Sequence, residues 1–119
     1  MIIGLGIDIL DVERFAIQLK RTPEFKQSIE RQGGIDENVE DLASNFAILE
    51  ALYKALPDNE KNQILDYKLS YESSGRRIVT YEGDTTEIHK NVAYHISVSH
   101  AKSIIVACVI IESPIGNQI

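Results

Sequence analysis

Three polar residues of this chain stand in apolar surroundings, where a charged or imidazole side chain is costly unless something offsets its burial. Asp8 ends an apolar opening run, Glu50 lies in the middle of an apolar helical stretch, and His100 closes Ser97-Val98-Ser99-His100. Two carboxylates, with no Cys/His group at zinc spacing, outline a site for a hard cation. Magnesium takes one or two carboxylates and completes its shell with water and substrate phosphates. Lys54, one turn after Glu50, adds a cation able to neutralise a phosphate oxygen. Such a set suits transfer of a phosphoryl-type group, where positioning and charge neutralisation supply most of the rate. Each residue also has a plainer reading. Asp8 could cap the helix that follows, Glu50 and Lys54 could form an exposed i,i+4 pair worth ~0.3–0.5 kcal/mol, and His100 could hydrogen-bond in a turn. There is no GxxxxGK(S/T) loop and no GxGxxG before a helix. His89 and His95 are too isolated to assign.

The elements that must position these residues are legible from periodicity. Residues 2–9 alternate as a strand, with Ile3, Leu5, Ile7 and Ile9 on one face. Gly4, Gly6 and Asp8 fall on the other, leaving room for a backbone or a ligand to approach closely. Asp11 is a candidate N-cap for a helix over Val12–Arg21, and Pro23 starts a second one to about Arg31. Gly33-Gly34 break the chain. The spacing of Leu42, Phe46, Leu49, Tyr53 and Leu56 predicts a helix over Val39–Leu56, stopped by Pro57. Its second stripe, Ala43, Ala47, Glu50 and Lys54, predicts close packing beside a polar site. Tyr67–Glu72 and Arg77–Tyr81 read as a hairpin about Ser73-Ser74-Gly75. Residues 85–91 read as one or two helical turns. Tyr94–His100 and 103–112 read as strands. The last is apolar on both faces over Ile104–Ile111, so it is expected to be central and covered on both sides. Gly116–Ile119 reads as a loose tail.

At 119 residues the expectation is one domain, 1–119. With 44% hydrophobic and 25% charged residues, bulk disorder is excluded. The single cysteine, Cys108, excludes a disulfide scaffold and reads as a buried small hydrophobe rather than a nucleophile. A cytoplasmic setting is expected. The longest apolar run is far short of the ~20 residues of a spanning helix, so no membrane role is expected. A net charge of −6 argues against nucleic-acid binding. That charge is unevenly spread. Residues 33–75 hold nine acids and three bases, whereas residues 1–32 hold five of each. Within the first block Arg14, Lys20, Arg21 and Lys26 form a local basic patch, which is either a solvated helix face or a docking face for an acidic partner.

Taken together, these residues resemble the holo-acyl-carrier-protein synthase family, the small phosphopantetheinyl transferases. Gly4-Leu5-Gly6-Ile7-Asp8-Ile9, followed by Asp11 and Arg14, resembles the family's N-terminal GIGIDIVEIxR. Phe46-Ala47-Ile48-Leu49-Glu50-Ala51-Leu52-Tyr53-Lys54-Ala55 is similar to its RFAAKEAFSKA helix. His95-Ile96-Ser97-Val98-Ser99-His100 is similar to HVSISH, and Gly75-Arg76 to a Gly-Arg/Lys-Pro turn. The resemblance implies an α+β fold, an antiparallel sheet packed with one long and several shorter helices.

It also implies transfer of the 4′-phosphopantetheine arm of coenzyme A to a serine of an apo acyl carrier protein, releasing 3′,5′-ADP. By the same resemblance, Asp8 and Glu50 would bind Mg2+ with the pyrophosphate, and Lys54 would contact the phosphate under attack. Ser99 and His100 would help hold the nucleotide part of coenzyme A. A metal-bound water or Glu50 would take the proton. Arg14, Lys20, Arg21 and Lys26 would dock the acidic carrier, and the family's trimers place sites between subunits. The chain departs from the pattern at Asn45, where the family has arginine, and at Leu49, where it has lysine. Pro57-Asp58-Asn59-Glu60-Lys61-Asn62 replaces a glycine-rich segment. The departures keep a second function class open, a relative that binds a carrier protein or a nucleotide without catalysis.

Overall fold

The computed structural model describes residues 1–33, 35, 38–83 and 91–114. In chain order they form β1 (Ile2–Asp11), α1 (Val12–Arg21), α2 (Pro23–Arg31), α3 (Val39–Ala55), a 3₁₀ segment (Asp58–Asp66), β2 (Tyr67–Tyr71), β3 (Arg77–Tyr81), β4 (Ala93–Ala101) and β5 (Ile104–Glu112). The helical turns expected at 85–91 fall almost wholly outside the described residues, and the tail from Gly116 lies outside them too. The helix starts follow their caps. Asp11 accepts from the backbone N–H groups of Glu13 and Arg14, and Asn38 from those of Glu40 and Asp41. Asp11, rather than Asp8, therefore caps the first helix. α3 ends at Ala55, one residue earlier than expected. Leu56 is extended, with ψ 141°, as the residue before a proline must be.

β5 is the middle strand of an antiparallel sheet ordered β1-β5-β4. Asp8 and Val98 both pair with Ala107, and Leu10 and His100 both pair with Ile105. β2 and β3 form a separate hairpin. The Tyr67 ring joins the hairpin to the larger sheet, packing 4.9 Å from the centre of Tyr81 and 5.6 Å from that of Tyr94. Phe15, Phe25 and Phe46 bring α1, α2 and α3 together, with ring centres 4.8–5.7 Å apart.

α3 lies on one face of the sheet. It meets that face through Ala43, Ala47, Ala51 and Ala55, all fully or almost fully buried. A side chain on Gly4 would collide with the Ala55 carbonyl oxygen, and one on Gly6 with the Ala51 carbonyl oxygen. The two glycines thus admit a backbone, not a ligand. The opposite face of the sheet carries Leu5, Ile7 and Ile9, which are 64%, 60% and 70% exposed. The half-buried Val106, Cys108 and Ile110 continue this apolar face on β5. β5 is therefore central as expected, but among the described residues α3 covers it on one side and nothing covers the other. Cys108 stands on the open face, half-buried rather than in the core. Among the described residues, no helix is long and apolar enough to cross a membrane.

Gly6→Ala is expected to push α3 off β1, because its Cβ would also lie 2.8 Å from the Ala55 nitrogen and only backbone could yield. The expected destabilisation is about 1–3 kcal/mol, measurable by urea denaturation.

Candidate active site

Asp8 leaves the helix-facing side of β1, two residues beyond Gly6 on the same face. Lys54 leaves the last turn of α3 and reaches back across the gap the glycines keep narrow. Its ammonium donates to Asp8 Oδ1 at 2.9 Å and to the Ile7 carbonyl at 3.1 Å. Asp8 keeps only 14% of its side-chain surface, while Lys54 keeps 51% and remains open to solvent. Glu50 sits one turn before Lys54 and is half-buried. Burial, first, and the charge of Asp8, second, push its carboxyl above the ordinary range, with Lys54 pulling in the other direction. Lys54 therefore serves Asp8 as a direct partner and Glu50 as a nearby charge. Two carboxylates that repel each other beside one partly exposed ammonium form a site short of positive charge. Among the described residues, no group of three or more His, Cys, Asp or Glu completes a metal cage. The donor set fits a hard divalent ion that takes its remaining ligands from substrate and water.

Glu50 is bordered by apolar residues. A cleft of about 350 Å³ runs along its flank, lined by Phe46, Leu49, Tyr53, Ile64 and Leu65 among others. Leu49, which stands where the family has lysine, is 6% exposed and belongs to the core. Asn45, where the family has arginine, is 1% exposed. Its Oδ1 accepts from Arg77 Nε at 2.7 Å and from the Tyr71 hydroxyl at 3.4 Å. The guanidinium also lies over the Tyr71 ring and 3.5 Å from Asp41. A positive group thus occupies the neighbourhood of Asn45 after all, supplied by β3. Position 77 carries no motif, so sequence reading passed over it. Its alternation in a short strand gave no signal that it would reach α3.

His100 and Ser99 lie apart from this cluster. His100 shares the helix-facing side of the sheet but stands on β4, the edge strand opposite β1. Two strands of separation put it roughly 10 Å across the sheet from the row of Asp8. It is exposed and lines a small recess with Asp41, Ser44 and Lys102 at the N-terminal end of α3. Ser99 points to the open face, beside Val106. Within one chain, then, Asp8, Glu50 and Lys54 converge, and Ser99 and His100 do not join them.

The four basic candidates are all exposed. Arg14 and Arg21 line one groove of about 520 Å³ along α1, with Gln18 between them and the exposed Ile17 beside them. Lys20 lies on another face of α1 and Lys26 on α2. Ile17 is a groove residue that composition alone could not single out.

No protein-family model matches the chain. Individual relatives do. The holo-(acyl-carrier-protein) synthase of Renibacterium salmoninarum is 36% identical over 115 residues, covering 95% of this chain and 100% of the relative. The backbone is similar to that of the Mycobacterium tuberculosis acyl carrier protein synthase, with a TM-score of 0.68, 27% identity, and 96% of this chain and 100% of the other covered. A holo-(acyl-carrier-protein) synthase from Bacillus anthracis, solved in complex with CoA (3′,5′-ADP), gives a TM-score of 0.66 and 27% identity over 96% and 99% of the two chains. An end-to-end relative at this identity, and a sheet and helices that superpose on solved synthases, mean that the chain belongs to the holo-(acyl-carrier-protein) synthase family of enzymes.

Proposed function

We propose that this chain transfers the 4′-phosphopantetheine arm of coenzyme A to a serine hydroxyl of an apo acyl carrier protein and releases 3′,5′-ADP. The observation that carries the reading is the convergence of Asp8, Glu50 and Lys54 from two elements far apart in sequence. Asp8 and Glu50 are the residues that would hold Mg2+, which when bound supplies positive charge against the pyrophosphate. Lys54 exchanges its Asp8 contact for an oxygen of the phosphate under attack. Its half-exposed ammonium is free to make that change, and the mostly buried Asp8 would then take a bound cation as its partner. Glu50 accepts the serine proton. The serine oxygen bonds to the phosphorus bearing the pantetheine arm, and the bond from that phosphorus to the 3′,5′-ADP oxygen breaks.

The α1 groove supports carrier docking. Arg14 and Arg21 flank an exposed isoleucine, a combination suited to an acidic helix with an apolar stripe. The open sheet face supports a homotrimer. Leu5, Ile7 and Ile9 form a contiguous apolar surface of the kind that marks an interface. The separation of His100 from Asp8 suits a site completed by a neighbouring copy.

Incubation with apo carrier, coenzyme A and magnesium is expected to add the arm, read as the mass shift of the carrier. Glu50→Gln is expected to abolish it. Binding of coenzyme A without transfer by the wild type would favour the non-catalytic reading, for which the buried Leu49 is the supporting observation.

Glu50→Gln also separates chemistry from folding. The folded protein holds a proton on Glu50 more tightly than the unfolded chain does, so ionised Glu50 opposes folding, and stability is lost as pH rises through its raised pKa. In metal-free protein at pH 7 the variant is expected to melt a few degrees above wild type. That advantage should vanish as pH falls to the ordinary carboxyl range near 4.5. A variant that melts lower at pH 7 would contradict this.

Arg14→Glu with Arg21→Glu is expected to raise the KM for the carrier at least tenfold at low salt while leaving the KM for coenzyme A unchanged. Sedimentation is expected to give three copies for wild type and one for Ile7→Asp, with transfer lost on dissociation. A fully active single copy would remove the shared site.

A further inference from the structure

The last turn of α3 carries Lys54, so the C-terminal end of the helix anchors the side chain that reaches back to Asp8 in the proposed phosphate site. The final carbonyls of a helix have no intrahelical donor and form the negative end of its dipole. Left alone, that end would repel a ligand carrying several phosphates.

In this chain the Leu56 N–H serves the Leu52 and Tyr53 carbonyls, and one ammonium adds a full charge to the end. Lys61, from the 3₁₀ segment, donates to the Tyr53 carbonyl at 2.8 Å, the Leu56 carbonyl at 2.9 Å and the Lys54 carbonyl at 3.4 Å. Its Nζ lies 5.0 Å from the centre of the Tyr53 ring. The segment turns back to allow this, with the Glu60 N–H donating to the Pro57 carbonyl at 2.8 Å. Each of the three ammonium protons has an acceptor, so Lys61 does not itself reach for a phosphate. What it changes is the field at Lys54. It places a full positive charge on the negative end of α3 and pins the backbone from which the Lys54 side chain departs.

We propose that Lys61 is a positioning residue for the phosphorylated substrate: it neutralises the C-terminal end of α3 so that a polyphosphate can settle against Lys54. This inference rests on the coenzyme A reading of the same site. It gives a function to the segment Pro57–Asn62, whose sequence otherwise only departs from the family pattern.

The test is a variant series measured by calorimetry with coenzyme A and magnesium, by transfer kinetics and by thermal melting. Lys61→Gln keeps a donor for the carbonyls and loses the charge. It is expected to weaken coenzyme A about three- to tenfold, the size of a charge–dipole contact next to a helix end. The loss should fall on the KM for coenzyme A rather than on kcat, and shrink as added salt screens the helix end. Lys61→Arg should restore affinity. Lys61→Met, which removes the cap as well, should melt lower than Lys61→Gln yet lose no more affinity.

Unchanged coenzyme A affinity in Lys61→Gln, with the wild type binding normally, would overturn the role of Lys61 and leave the site reading intact. Affinity losses that track melting temperature across the series, with no salt dependence, would reduce Lys61 to a structural cap and also overturn it. A wild type that binds no coenzyme A would overturn the site reading and this inference together.

Discussion

The close approach of α3 to β1 is the constraint on which the rest of the molecule depends. Helices usually pack on sheets about 10 Å away, a distance set by side chains on both surfaces. Here glycines at positions 4 and 6 face alanines at 51 and 55, and no side chain larger than a methyl group separates the two backbones. Dispersion contacts between backbones replace those between side chains. The gain for function is reach. Lys54 needs to cover only the remaining gap to touch both the Ile7 carbonyl and Asp8. A larger residue at either glycine would lift the helix, and with it both Glu50 and Lys54, away from Asp8. The stability of the core and the geometry of the site are thus two readings of one contact.

The same contact leaves the other face of the sheet without a partner. Every second residue of β1 from Ile3 to Ile9 points away from α3 because the glycines and Asp8 take the helix side. Burial of that face would need a second layer of elements, and the described residues supply none. An exposed surface of Leu5, Ile7 and Ile9 is more apolar than solubility favours. A fold that spends its glycines on one face therefore creates the need for a neighbour on the other. The placement of His100 on the far edge strand fits that need, since a neighbouring copy can bring in what this chain holds at a distance.

Much of this was legible in the sequence wherever a local rule governed. Alternation fixed the two faces of β1, Asp11 and Pro23 marked helix starts, and Pro57 fixed the end of α3 to within one residue. The proximity of Asp8, Glu50 and Lys54 was foreshadowed because each is out of character with its neighbours. What escaped depended on tertiary partners. An apolar strand reads as covered on both faces whether the cover comes from its own chain or from another, so β5 and Cys108 were assigned more burial than one chain provides. The 3₁₀ segment has no apolar stripe, since only Ile64 in it packs on the core. The reach of Arg77 to Asn45 spans 32 positions and follows no periodicity.

That reach bears on how the site's charge is assembled. Read along the chain, α3 has lost two cations, because Asn45 and Leu49 are uncharged and buried. Read in space, the account differs. Arg77 is held against Asn45 by a 2.7 Å hydrogen bond, and Lys61 sits on the helix end beside Lys54. Both come from segments outside α3. Position 49 is the exception. Leu49 joins the apolar cleft beside Glu50, whose carboxyl is raised by burial more than by the charge of Asp8. A buried, uncharged side chain there offers no charge to an anion. The departures at 45 and 49 are therefore not equivalent. At the first a positive charge arrives from β3, whereas the second is closed into the core.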